Sequence, residues 1–185
     1  MKTTEELLSL IKQSDITLIG YSFKDERIKD EFISNFNYIE IEKFDSSFSF
    51  KSFLRNLKLN SVIEDKSIPD FILLDINNIN FNTSDTINRP KQIGIALQKI
   101  RENMYSEHNS SFPSNPQFRL IITCPLNRSI IGDEKNFSGG NHQLYMSDVA
   151  MTIEGDIIKV IKNRLGKDGD SILYKFNYGK SLKVI

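Results

Sequence analysis

Short apolar runs recur along this chain, each ending on a small or polar residue, and most are followed by a stretch with helical spacing. The run "ITLIG" (residues 16–20) precedes Ile28, Phe32, Ile33 and Phe36, which recur at the spacing of one helix face. "YIEIEKF" (38–44) alternates like a strand and precedes Phe50, Phe53, Leu54 and Leu57. "FILLD" (71–75) is followed, across the polar loop "NINFNTSDTINRP" (78–90), by Ile93, Ala96, Leu97, Ile100 and Met104, the strongest helical stripe in the chain. "RLIITC" (119–124) comes after a second Ser/Asn/Pro loop (106–117). Unbroken apolar runs fit strands buried on both faces, and apolar residues three and four apart fit helices laid over them. This alternation predicts an α/β fold: parallel strands covered by helices on both faces.

The ends of the chain add to that core. "TTEELLSLI" places Thr3 and Glu6 at capping-box spacing and predicts an opening helix. "VAMTIE", "DIIKVIKNR" and "SILYKFNYG" are strand-like and joined by short Gly/Asp turns, which predicts a C-terminal run of antiparallel strands. At 185 residues with 39% hydrophobic content, the chain reads as one domain spanning 1–185. No apolar run reaches the roughly 20 residues that cross a bilayer, so no membrane partner is expected. The first residues mix acids into the apolar pattern, unlike a signal peptide, and a lone Cys124 suits a reducing interior, so the expected location is cytoplasmic. The richness in Asn, Lys and Ile fits an AT-rich genome, that of a phage or a low-GC bacterium.

Formal charge is zero but unevenly placed. Residues 1–75 hold ten Lys/Arg against fourteen Asp/Glu, and residues 155–185 hold seven against three. The basic end suits an acidic protein partner or a phosphate backbone, and equally a solvated Lys-rich hairpin.

In sheets of this kind ligands bind beyond the carboxyl ends of the strands. That rule selects Gly20 to Lys24, Glu42, Asp75 and Cys124 to Arg128. Asp75 ends a buried strand and is placed to hold Mg²⁺, or simply to cap the loop after it. Glu42 is placed to orient a water, or is an ordinary strand-end acid. "KNRLGKDG" (162–169) puts Lys162 and Arg164 two apart on one strand face before a glycine turn, two fixed cations suited to a triphosphate. "NFSGGNHQLY" (136–145), with Ser138, Gly139, Gly140 and Asn141, is a small-residue loop able to order on a nucleic-acid backbone, as is Arg128 nearby. No Cys/His spacing suits zinc, and no nucleophilic triad is evident.

Taken in order, the acid-tipped strands, "LIITCPLNR", "SGG", "SDVAMTIE" and "IKVIKNRLGKDG" resemble the ATPase core of the RecA-like superfamily, above all the DnaB-type replicative helicases. The resemblance implies a RecA-like fold and matches Glu42 to the catalytic Glu and Asp75 to the Walker B Asp. It also matches "TCPLNR" to the sensor strand, and Lys162, Arg164, Gly166 and Gly169 to the string carrying the trans-acting finger. The phosphate loop departs from the family. "GYSFKDE" is short, has one glycine and lacks the Lys-Ser/Thr pair that holds phosphate and Mg²⁺. Asp25 and Glu26 stand where the helix N-terminus would face the phosphate, and the sensor position falls on Pro125, which has no donor.

The expectation is therefore a divergent, catalytically inactive RecA/DnaB-like domain. It would need no cofactor and would act through a protein partner (a helicase or RecA-like subunit, or a second copy) in DNA replication or recombination. Three alternatives stand beside it. One is a DNA-stimulated ATPase in which Lys24 serves the phosphates of Mg-ATP. Another is a receiver-like signalling module with Asp75 as phosphoacceptor. The last is a non-enzymatic nucleic-acid binder, against which zero net charge and the lack of tryptophan weigh.

Overall fold

The computed structural model describes residues 4–81, 89–105, 116, 118–128, 135–138, 141–155, 157–166, 173–177 and 180–184. Helix α1 (Thr4–Gln13) leads into strand β1 (Ile16–Tyr21), a 3-10 turn (Phe23–Asp25) and helix α2 (Glu26–Ile33). Strand β2 (Tyr38–Glu40), helix α3 (Phe50–Ile63), strand β3 (Phe71–Asp75) and helix α4 (Arg89–Met104) follow. Then come β4 (Arg119–Arg128), β5 (Lys135–Phe137), the short helix α5 (His142–Met146), β6 (Val149–Glu154), β7 (Ile157–Asn163), β8 (Leu173–Asn177) and β9 (Lys180–Val184). Together they make a mixed, mostly parallel sheet in the order β2-β3-β4-β1-β6-β7-β8-β9, with β5 paired to β4. Among the described residues, no helix is long and apolar enough to cross a membrane.

The strand periodicity of two sorts the core into two layers. Leu18, Ile72, Leu74, Leu120, Ile122 and Cys124 face one side, where Ile93, Ala96, Leu97, Ile100 and Met104 of α4 and Phe50 of α3 pack against them. Ile19, Tyr21, Leu73 and Ile121 face the other, under Leu7 and Ile11 of α1 and Ile28, Phe32 and Ile33 of α2. Each such side chain contributes about 1.5–3 kcal/mol by leaving water, so the amphipathic helices have little choice of face.

The structure corrects the sequence reading in four places. The run "VAMTIE" is not part of the antiparallel extension: β6 pairs parallel with β1, Thr17↔Val149 to Tyr21↔Ile153, and only β7, β8 and β9 run antiparallel. Its uninterrupted burial from Val149 to Ile153 is that of a strand covered on both faces. Strand β4 does not stop at Cys124 but runs through Pro125 to Arg128, where it folds back against β5. Proline is tolerated because the ladder with β1 ends there, at Tyr21↔Pro125.

Strand β2 ends at Glu40, short of the predicted Phe44. Ile41 and Phe44 are both buried in the same layer. Three residues apart, they could not share a face in a straight strand. The chain bends between them and resumes parallel pairing only at Phe44↔Ile79. Finally, β5 and β9 have no counterpart in the sequence reading. The Thr3 of the expected capping box, and Gly169 with most of the turn after Gly166, lie outside the described residues.

Candidate functional site at the carboxyl ends of the parallel strands

β1 and β3 end on either side of β4, which continues past them to Arg128, with Gly20↔Cys124 and Asp75↔Thr123 in register. Residues of one pleat direction form a polar cluster. Asp75 Oδ2 accepts hydrogen bonds from Thr123 Oγ1 at 2.7 Å and from the Tyr21 hydroxyl at 3.3 Å. Asp75 Oδ1 accepts from the Asn77 N–H at 2.8 Å, capping the 3-10 turn (Ile76–Asn78) after β3. Arg89 braces that turn by donating to the carbonyls of Ile76 and Ile79. Burial, and then the negative charge of Asp75, push the Tyr21 hydroxyl well above its ordinary range, so it stays a donor.

Lys29 of α2 lies over the Tyr21 ring, 4.6 Å from its centre, and pairs with Asp30 at 3.0 Å. Sequence reasoning included Tyr21 only within the segment Gly20 to Lys24, with no role of its own, and missed Thr123 and Lys29. It placed the sensor at Pro125, two residues on. Thr123 becomes visible only once the register sets it opposite Asp75.

The other pleat direction is lined mainly by apolar side chains among the described residues. Gly20 points at the β4–β5 hairpin, and a Cβ there would fall 2.7 Å from Phe137 Cε1 and 2.8 Å from Leu126 Cδ2. Phe137 and Leu126 are 5% and 8% exposed and belong to the core layer. The glycine therefore serves the close approach of two apolar side chains. Beneath them Cys124 is buried; its Sγ lies 3.4 Å from the Ser138 carbonyl, and Gln143 Nε2 donates to it at 3.5 Å. Burial pushes this thiol up to about 12.

The connection from β1 to α2 is a closed tight turn. Asp25 N–H donates to the Ser22 carbonyl at 2.8 Å and Glu26 N–H to the Phe23 carbonyl. Those amides are used within the turn rather than turned outward. Asp25 is buried, and its Oδ2 has no hydrogen-bond partner among the described residues. Lys24 is exposed on the turn.

The remaining sequence candidates fall as follows. Glu42 is exposed in the bend after β2, not at a strand tip as expected. Glu40 lies nearer the ladder and accepts from Asn78 Nδ2 at 3.1 Å. Ser138 N–H donates to the Pro125 carbonyl at 2.8 Å and its carbonyl accepts from Gln143 Nε2 at 3.1 Å, so this serine closes the hairpin. Asn141 is exposed at the start of α5, and the backbone of Arg128 pairs with Lys135. Gly139 and Gly140 lie outside the described residues. Among the described residues, no three His, Cys, Asp or Glu side chains are grouped so as to hold a metal ion.

Lys162 and Arg164 are not brought to this site. Strand β7 runs antiparallel to β6 with Asn163 opposite Val149, which places both cations at the amino edge of the parallel strands. Asp75 is level with Met151 through the registers of β4 and β1, so Lys162 lies roughly 3 Å and Arg164 roughly 10 Å from it along the strands, and both about 19 Å across four strand spacings. Lys162 Nζ donates to the carbonyls of Leu144 and Tyr145, and Arg164 Nη2 to that of Tyr145 at 3.0 Å, so together they close the C-terminal end of α5. Burial, and then the charge of Arg164, lower the Lys162 ammonium below its usual range. Arg164 is exposed.

No protein-family model and no curated protein sequence matches the chain.

Proposed function

We propose that this chain is a RecA-like ATPase core whose own phosphate site is closed, acting as an accessory subunit in DNA replication or recombination. The observation that carries the reading is the filling of the space over β1. Phe137 and Leu126 occupy the position above Gly20, and at the end of the turn after Tyr21 the amides of Asp25 and Glu26 donate to the Ser22 and Phe23 carbonyls. A phosphate loop needs free amides wrapped around an anion, whereas here the hairpin packs apolar side chains over Gly20 and the bend carries a buried carboxylate.

Two further features support the reading. The residues that the resemblance matches to the phosphate turn, the Walker B acid and the sensor strand all end at one edge of the sheet, as a nucleotide site requires. Lys162 and Arg164 lie four strand spacings from Asp75 and do not serve it within one chain, which is in keeping with cations that act in trans. The parallel strands taken in chain order lie 2-3-4-1-5, which is not the 2-1-3-4-5 order of receiver-type folds, and this weighs against Asp75 as a phosphoacceptor.

The test is calorimetric titration and phosphate release with MgATP, with and without single-stranded DNA. The expected result is neither saturable binding nor turnover. Turnover abolished by Asp75→Ala, or binding lost in Lys24→Ala, would overturn the proposal.

A further inference from the structure

Helices α4 and α5 border a groove of about 360 Å³, lined by Lys91, Gly94, Ile95 and Gln98 of α4 and His142 of α5. Among the described residues no acid lines it, and Ile95, 43% exposed, gives it an apolar floor. The imidazole of His142 lies over Gly94: a Cβ there would fall 3.5 Å from each of three ring atoms, Cγ, Cδ2 and Nδ1. That is ordinary contact, so packing does not require glycine in the middle of this helix, where alanine would be more stable. The missing side chain keeps the groove open beside the ring. His142 and Tyr145 are three apart on α5 and share a face. Both are exposed, Tyr145 to 70%.

The far end of α5 is basic. Lys162 Nζ and Arg164 Nη2 donate to neutral carbonyls there and form no ion pair among the described residues. Asp148, the acid whose charge reaches Lys162, is already held by the Asp15 and Ile16 N–H groups at 3.2 and 3.1 Å. The strip from Lys91 through His142 and Tyr145 to Arg164 therefore sets two exposed rings between cations. Beyond the groove it stops at Gln98, which donates to Glu102 at 3.1 Å.

We propose that this strip binds single-stranded nucleic acid, with bases against the rings of His142 and Tyr145 and phosphates at Lys91, Lys162 and Arg164. It rests on the nucleic-acid part of the function proposed above, for which it supplies the contact, and not on the closed phosphate site. Exposed rings flanked by cations are what a sequence-tolerant strand platform requires. A duplex keeps its bases stacked on one another and leaves both rings unused, and a chain of carboxylates matches the charge but not the rings. Lys162 and Arg164 are shared with the action in trans considered above; Lys91, His142 and Tyr145 belong to the strand alone.

The test is fluorescence anisotropy of a labelled oligothymidylate of about 20 nucleotides with the full chain, no ATP present, at about 50 and 200 mM salt. Saturable binding is expected, weakening about 20-fold between the two salts, because three phosphate contacts on a single strand give a log–log slope of about −2. Tyr145→Ala should weaken binding about tenfold while Tyr145→Phe keeps it within about twofold, since stacking needs the ring and not the hydroxyl. Lys91→Gln should flatten the salt slope by about 0.7, and Lys58→Gln, at an exposed position of α3, should leave affinity and slope unchanged. The substituted side chains are all exposed, so circular dichroism should not change. Absence of binding at the lower salt overturns the proposal, as does indifference to Tyr145→Ala or an equal loss in Lys58→Gln and Lys91→Gln. Displacement of the strand by oligoglutamate as readily as by unlabelled oligothymidylate also overturns it and assigns the strip to an acidic protein partner. With no ATP present, none of these outcomes bears on the MgATP titration, and turnover of MgATP would not bear on them.

Discussion

Replacing Gly20 by alanine separates a packing glycine from a phosphate-loop glycine. The added methyl would lie 2.7 Å from Phe137 Cε1, 2.8 Å from Leu126 Cδ2 and 3.2 Å from Leu126 Cγ, where apolar carbons settle at about 3.5–4.0 Å. The obstructing atoms are ends of side chains, so they can move. Both side chains are nearly buried and packed into the layer under α4, however, and their movement displaces other residues.

Overpacking of this size costs about 1–3 kcal/mol. Alanine returns about 0.5–1 kcal/mol through lower backbone entropy in the unfolded chain. The net loss is about 1–2 kcal/mol, or a fall in Tm of roughly 2–8 °C for a chain of this length. Leu126→Ala alone should cost about 2–4 kcal/mol by leaving a cavity. Combined with Gly20→Ala it opens space for the new methyl, so the double variant should lose about 1–2 kcal/mol less than the two single losses added. Urea unfolding of the four proteins measures this cycle. Stability of Gly20→Ala at or above the parent, or strict additivity in the cycle, would refute the reasoning, because the space over β1 would then be open.

Two other outcomes follow from the buried polar groups. Tyr21 donates to Asp75 and Tyr105 to Asp15 Oδ2 at 2.8 Å, and burial raises both hydroxyls above the value of 10.0 they have when unfolded. Above that value the folded chain holds more protons than the unfolded one. Their contribution to stability is therefore complete below about pH 10 and is lost as pH rises further. Tyrosinate absorbance from these two residues should appear together with unfolding, and Tyr21→Phe should flatten the alkaline loss; an unchanged alkaline loss in Tyr21→Phe, or their early titration in the folded chain, would contradict the geometry. Cys124, buried and with its thiol pushed up to about 12, should react with a thiol reagent at about pH 8 at least ~100-fold more slowly than in urea. Rapid labelling of the native chain would show that the β4–β5 hairpin opens.

Local patterning determined much of this molecule. The stripe Ile93–Ala96–Leu97–Ile100–Met104, the runs "ITLIG" and "FILLD", and the placement of Asp75 at a strand end are readable because burial enforces periods of two and 3.6 on contiguous residues. The shortage of glycine after β1 was equally plain, since it is a property of the turn itself. What the sequence could not reveal depends on which strands become neighbours. "VAMTIE" reads the same whether its partner is parallel or antiparallel, and only its pairing with β1 decided the matter. Thr123 is one polar residue in an apolar strand until register sets it against Asp75, and Phe137 lies 117 residues from the glycine it covers. Lys162 and Arg164 looked like free cations, and only the fold showed them holding the end of α5 four strand spacings from Asp75. Pairing and packing are settled by the total burial of the whole chain, which no single stretch encodes.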